Sequence, residues 1–136
     1  MQDALVEAFS RLDRLSNPQA FASWVSTIVV RQCIRHLRRR KLLCRLGLRS
    51  SAPVDPDALI SPEAPADVVA ELHAVYAGLA SLPTEERVAL VLRRVEGMEL
   101  SQVAVCLGVS LATLKRRIAA GDERLRRCLQ PASESA

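Results

Sequence analysis

The sequence predicts an all-α fold, and three observations carry that prediction. Hydrophobic residues make up 49% of the 136 residues while aromatics are only 3%, namely Phe9, Phe21, Trp24 and Tyr76. A core of Leu, Val, Ala and Ile suits packed helices better than sheets, where aromatic and β-branched residues concentrate. Apolar positions recur at spacings of three and four, and no segment alternates in the manner of a strand.

The elements follow in order. Residues 3–15 are expected to form a helix, with Leu5, Phe9 and Leu12 on one face. Ser16-Asn17-Pro18 stops it; Asn17 suits a cap, and Pro18 suits a first turn because its missing N–H costs nothing there. Phe21, Trp24, Val25, Ile28, Val29 and Cys33 then give a helical stripe that runs on into Arg35-His36-Leu37-Arg38-Arg39-Arg40-Lys41. A basic helix end also complements the helix dipole. Residues 46–66 hold Gly47, Ser50, Ser51, Pro53, Pro56, Pro62 and Pro65 without apolar periodicity and are expected to be a linker. It divides the chain into two small helical units, 1–45 and 67–130, with a tail at 131–136. The first is short for an independent core, so residues 1–50 in isolation are expected to be a loose helical pair.

The second unit is expected to hold four helices. The first carries Val68, Leu72, Val75, Tyr76 and Leu79. Leu82-Pro83-Thr84 breaks the pattern, and Thr84 is placed to cap a second helix carrying Val88, Val91, Leu92 and Val95. Gly97 is placed to end that helix in the left-handed conformation. Residues 101–107 form a short third helix, Gly108-Val109-Ser110 a tight turn, and residues 111–129 a fourth, with Leu114, Ile118 and Leu125 inward.

Charge is segregated. Residues 1–51 carry a net +7, residues 52–86 a net −7 with no Lys or Arg, and residues 87–136 a net +4. Basic ends point to a polyanion, with phosphate the commonest such partner. Cys33, Cys44, Cys106 and Cys128 have no CxxC spacing, so no structural metal is expected, and reduced thiols buried or half-buried on helices are expected for three of them. No stretch approaches a membrane span, and the N-terminus reads as an acidic amphipathic helix and not as a secretory leader. An enzyme is disfavoured. His36 lies in a basic run and His73 in the acidic block, neither paired with a carboxylate and nucleophile, and no Gly-rich phosphate loop exists. No cofactor is expected.

Residues 101–118 have the layout of a helix-turn-helix. Ala104 is small where helices cross, Gly108 permits the turn, Val109 plugs the angle, and Ser110 caps the next helix. Leu114 and Ile118 hold that helix to the core, leaving Thr113, Lys115, Arg116 and Arg117 to project outward. A helix presented in this way can lie in the major groove, where Arg bonds guanine bidentately.

The stretch from Leu82 to Leu129, LPTEERVALVLRRVEGMELSQVAVCLGVSLATLKRRIAAGDERLRRCL, resembles region 4 of extracytoplasmic-function (ECF) RNA polymerase sigma factors. An LP-x-x-x-R opening (Leu82, Pro83, Arg87), the Glu96-Gly97 turn and Thr113-Leu114-Lys115-Arg116-Arg117 carry the likeness. DALVEAFSRL (3–12) is similar to the family's region 2.2 helix, and FASWVSTIVVRQCIRHLRRRK (21–41) to regions 2.3–2.4, with Trp24 at the usual buried aromatic. Membership would make the chain a cytoplasmic transcription-initiation factor, not an enzyme. Its partners would be the core polymerase (β′ clamp helices and β flap), promoter DNA and an anti-sigma factor. By that resemblance Leu5, Glu7, Phe9 and Leu12 bind polymerase. Asn17, Ser23, Gln32, Arg35, Arg38 and Arg39 contact the −10 element, and Ser110, Thr113, Lys115, Arg116 and Arg117 the −35 element.

Two departures stand out. Met1 immediately precedes the region 2.2 motif, so beside a complete region 4 either the true start lies upstream or region 2 is shortened, and a shortened region 2 would leave Leu5, Phe9 and Ile28 short of packing partners. Ala119-Ala120-Gly121 stands where the family often has an aromatic or polar residue and an Arg. The competing readings are a truncated sigma-like or stand-alone helix-turn-helix regulator that does not initiate transcription, and a protein-interaction module using the acidic block.

Overall fold

A computed structural model describes residues 2–48 and 55–130. The principal helices are α1 (Gln2–Ser10), α2 (Phe21–Arg45), α3 (Ala66–Ser81), α4 (Thr84–Leu90), α5 (Leu100–Leu107) and α6 (Leu111–Leu129). No strand occurs among the described residues, and the all-α expectation holds. The expected linker residues Ser50, Ser51 and Pro53 and the 131–136 tail lie outside the described residues. Within the rest of the linker, Asp55 caps a single 3-10 turn over Pro56–Ala58.

The first helix is shorter than its pattern. It stops at Ser10 and passes into a 3-10 turn, Leu12–Arg14. Its buried positions are Ala4 and Ala8, while Leu5, Phe9 and Leu12 are exposed, Phe9 by 82%. Small residues let α1 lie close on α2, and Gln32 of α2 donates to the Glu7 carboxylate across that contact. Asn17 performs the expected capping, its Oδ1 accepting from the Gln19 N–H at 3.0 Å. Ile28, expected to lack partners, is buried.

The apolar stripe of α2 is rotated from its expected position. Val30 and Ile34 are buried and Cys33 is exposed, because α2 also packs against α5 and α4 of the second unit. Val30 and Ile34 share a small apolar cluster with Cys106, joined by Val88, Leu92, Met98 and Leu107. No local pattern in the sequence signals this contact. Cys106 is buried and Cys44 half-buried, but Cys33 and Cys128 are exposed, so two thiols are sheltered where three were expected.

The main core belongs to the second unit. Leu82, Ala89, Leu90, Val103, Ala104, Leu114 and Ile118 form it, with Leu79, Leu100 and Val109 against its edges. Several positions depart from expectation. Val68 and Tyr76 of α3 face solvent, and the buried position of α3 is Gly78. Thr84 does not cap α4. It is the first helical residue, preceded by Pro83 with no side-chain cap. After Leu90 the chain widens into a π-helical turn over Val91–Val95, closed by the Glu96 N–H on the Val91 carbonyl at 3.1 Å. Gly97 then takes the left-handed conformation at φ +67°, as its position predicted.

Glycine in α6 has a packing reason. A Cβ on Gly121 would stand 2.8 Å from Leu90 Cδ1 and 3.5 Å from Glu86 Cβ, so Gly121 marks the point where α4 and α6 cross closely. Alanine there would gain about 1 kcal/mol of helix propensity. It would also overpack a buried leucine, at a cost of about 1–3 kcal/mol. Gly121→Ala is therefore expected to lower stability by about 1 kcal/mol, read as a reduced urea midpoint at unchanged m-value.

Candidate nucleic-acid interface

The α5–α6 corner is built by local hydrogen bonding. Glu99 and Gln102 form a reciprocal capping box at the start of α5, with the Gln102 side chain accepting from the Glu99 N–H at 3.2 Å. The Glu-x-x-Gln spacing is the sequence signal for this cap. Gly108 closes α5 at φ +65°, and its N–H bonds the Val105 carbonyl at 3.2 Å. Ser110 then caps α6: its Oγ accepts from the Thr113 N–H at 3.2 Å and donates to Thr113 Oγ1 at 3.0 Å. Ser110→Ala is expected to cost about 1 kcal/mol of stability, read by thermal melting of the full chain.

The structure separates the α6 candidates. Lys115 and Arg116 are exposed and have no ion-pair partner among the described residues. Ser110 is exposed but committed to its cap, and Thr113 is half-buried beside it. Arg117 departs from expectation: it is half-buried and faces α2 instead of projecting with its two neighbours. Successive helical residues turn by about 100°, so three consecutive side chains cannot share one face when the next, Ile118, is in the core.

Arg117 lines a cleft of about 350 Å³ with Arg31, Arg35 and Arg38 of α2, floored by Ile34, Leu107 and Val109. Glu85 of α4 lines the same cleft. Arg38 Nε donates to Glu85 Oε1 at 2.9 Å, and its Nη2 pairs with the same oxygen. That hydrogen bond holds the Glu85 carboxyl below the ordinary glutamate range against an opposing effect of partial burial, and the charge of Arg117 adds to the lowering.

The remaining α2 candidates are spread over its surface. Arg39 is exposed on the side away from the cleft, and Arg35 reaches Gln32 Oε1 at 3.4 Å. Ser23 donates to the Ala20 carbonyl at 3.0 Å, while Gln32 is held by Glu7. Trp24 is half-buried, its ring 6.2 Å from that of Phe21 and tilted by 38°. Among the polymerase-binding candidates, Leu5, Phe9 and Leu12 are exposed, whereas Glu7 is taken by Gln32 and by Arg11 at 3.1 Å.

Sequence reasoning missed Arg31 and Glu85. Arg31 lies four and seven residues before Arg35 and Arg38, a spacing that places the three on one helical face. Glu85 had no such signal, since its partner is 47 residues away. Elsewhere, His73 Nε2 lies 2.7 Å from Asp57 Oδ1 and ties α3 to the 3-10 turn before it. No group of three His, Cys, Asp or Glu fit to hold a metal occurs among the described residues, nor any helix long and apolar enough to cross a membrane.

Comparison with known proteins joins these parts. The sigma-70 region 2 family matches residues 1–42, and the sigma-70 region 4 family matches residues 72–128. The ECF RNA polymerase sigma factor SigM of Mycobacterium tuberculosis is 33% identical over 132 residues, covering 95% of this chain and 62% of that protein. SigW of Bacillus subtilis is 24% identical, covering 95% of this chain and 73% of its own length. The chain thus spans less than two thirds of the SigM relative. In fold it is similar to the sigma factor RpoE of Bartonella quintana, solved in complex with the anti-sigma factor NepR. The TM-score is 0.66 at 20% identity, over 94% of this chain and 77% of that one. With both regions matched in order and ECF proteins as its relatives, the chain belongs to the sigma-70 family, among the ECF sigma factors.

Proposed function

We propose that the chain is a sigma factor that brings core RNA polymerase to promoters, acting in the cytoplasm and without catalysis of its own. The observation that carries this reading is the capped α5–α6 corner. It presents Lys115 and Arg116 on the outer face of a 19-residue helix, in one chain with the basic α2. A helix so mounted fits the major groove, with its first turns nearest the base edges. Lys115 and Arg116 contact the −35 element, Ser110 and Thr113 set the start of the helix, and Arg117 joins them only when the cleft is open. On α2, Arg35, Arg38 and Arg39 contact the −10 element, mainly through phosphate; Asn17, Ser23 and Gln32 shape the helix and its approach. The exposed Leu5, Phe9 and Leu12 supply an apolar surface for the polymerase clamp, with Glu7 holding α1 to α2. The β flap and an anti-sigma factor complete the partner set, the latter by analogy with the RpoE–NepR complex.

Run-off transcription tests this directly, with purified bacterial core polymerase, the full chain and fragments of its own genome's promoters. Transcripts that depend on the added chain are expected. Co-elution with core but no transcripts would instead identify a sigma-like regulator. DNA binding with neither would identify a stand-alone helix-turn-helix protein.

A further inference from the structure

A second cleft, of about 420 Å³, lies between α2 and α3 and shares no residue with the arginine cleft beside Glu85. One wall is a stripe of α2: Leu37, Arg40, Lys41 and Cys44. The other is a stripe of α3: His73, Tyr76, Ala77 and Ala80. Both follow the spacing i, i+3, i+4, i+7, so each is one helical face two turns long, about 10 Å of helix. Leu82, a buried residue of the main core, also lines the cleft, as does Pro56 of the 3-10 turn that His73 holds through Asp57. The volume is within the usual span of small-molecule sites, about 300–1,000 Å³.

Two features of the lining call for different chemistry. Tyr76, Ala77 and Ala80 are exposed and leave an apolar strip along α3. The formal charge, by contrast, is of one sign. Arg40, Lys41 and Arg87 line the cleft, no Asp or Glu does, and Lys41 and Arg87 have no ion-pair partner among the described residues. A neutral apolar ligand would draw those cations out of water with nothing to compensate them. A bare inorganic anion would leave the apolar strip wet. We infer that the cleft binds a small amphipathic anion: a carboxylate or phosphate head on an apolar chain about two helical turns long. The head faces the cations of α2 and α4, and the chain lies along α3. This site goes beyond the promoter reading and does not depend on it.

The half-buried Cys44 thiol in the cleft wall reports occupancy, while Cys33 and Cys128 are exposed and outside it. Iodoacetamide labelling of the full, reduced chain is followed at each thiol by peptide mass spectrometry. Octanoate or octyl phosphate, in excess but below micelle formation, is expected to slow labelling at Cys44 by at least about fivefold, as mass action at an occupied site requires. Labelling at Cys33 and Cys128 should not change. The ratio of the two protections tells a carboxylate site from a phosphate site. Octanol (chain without charge) and acetate or inorganic phosphate (charge without chain) are expected to leave the rate at Cys44 unaltered. Lys41→Gln combined with Arg87→Gln keeps most of the side-chain bulk and is expected to raise the octanoate Kd about tenfold, the scale of two partly exposed ion pairs. No protection of Cys44 by either amphiphile overturns the proposal, as does equal slowing at all three thiols. Protection by octanol equal to that by octanoate overturns it too, as does a folded double variant with unchanged octanoate affinity.

Discussion

Leu114→Ala is expected to destabilise the second unit by about 3 kcal/mol, within the 2–5 kcal/mol range for truncating a buried leucine. Leu114 has no exposed surface and sits in the cluster of Leu82, Ala89, Leu90, Val103, Ala104 and Ile118, where α4, α5 and α6 meet. A unit of this size has little stability to spare, since small domains bury a smaller fraction of their surface. The variant should melt well below the unaltered chain and lose DNA binding at 37 °C, because α6 is held in place by this side chain. Val105→Ala serves as the control: Val105 is on the neighbouring helix but 65% exposed, and its truncation should change stability by less than about 0.5 kcal/mol. Equal losses in the two variants would show that the α5–α6 corner is not organised around Leu114.

The second large effect concerns DNA. Replacing both Lys115 and Arg116 by Ala is expected to weaken promoter binding by at least about tenfold. The slope of log affinity against log salt should fall by about two, close to one unit for each phosphate no longer neutralised. Both side chains are exposed and unpaired among the described residues, so their removal leaves no buried group unsatisfied. A folded double variant with unaltered affinity would exclude this face of α6 as the DNA contact. A reduced affinity with unchanged salt slope would assign the two residues to base edges instead of phosphates.

How far the molecule could be read from its sequence depended on the range of the interactions involved. The limits of α6 and the left-handed Gly97 were legible, as were the turn at Gly108 and the Ser110 cap, because each is set by residues within three or four positions. The end of α1 was not, because an amphipathic spacing that fits an α-helix continues unchanged through a 3-10 turn. The inward face of α1 was misjudged for a related reason: Leu5 and Phe9 look like core residues, while Ala4 and Ala8 permit close packing and carry no apolar signal of their own. The π-helical turn after Leu90 left no recognised mark. At the candidate interface, Lys115 and Arg116 followed from helical geometry, and that geometry, applied strictly, turns Arg117 aside. The docking of α2 on α5 lay beyond reach, since Arg38 and Glu85 are joined only across the folded chain.

The local caps of the α5–α6 corner also bear on how the chain comes into being on the ribosome. A corner closed by hydrogen bonds between near neighbours has almost no loop entropy to overcome and can form on the microsecond scale. Docking of α2 must instead wait for the linker and most of the second unit, because Cys106 and Leu107 are made about 70 residues after Val30 and Ile34. At synthesis rates of about 5–20 residues per second, those apolar side chains stand without their partners for several seconds. The nascent N-terminal half is the part most open to proteases and to chaperones, and a rare-codon pause before the second unit would prolong that window.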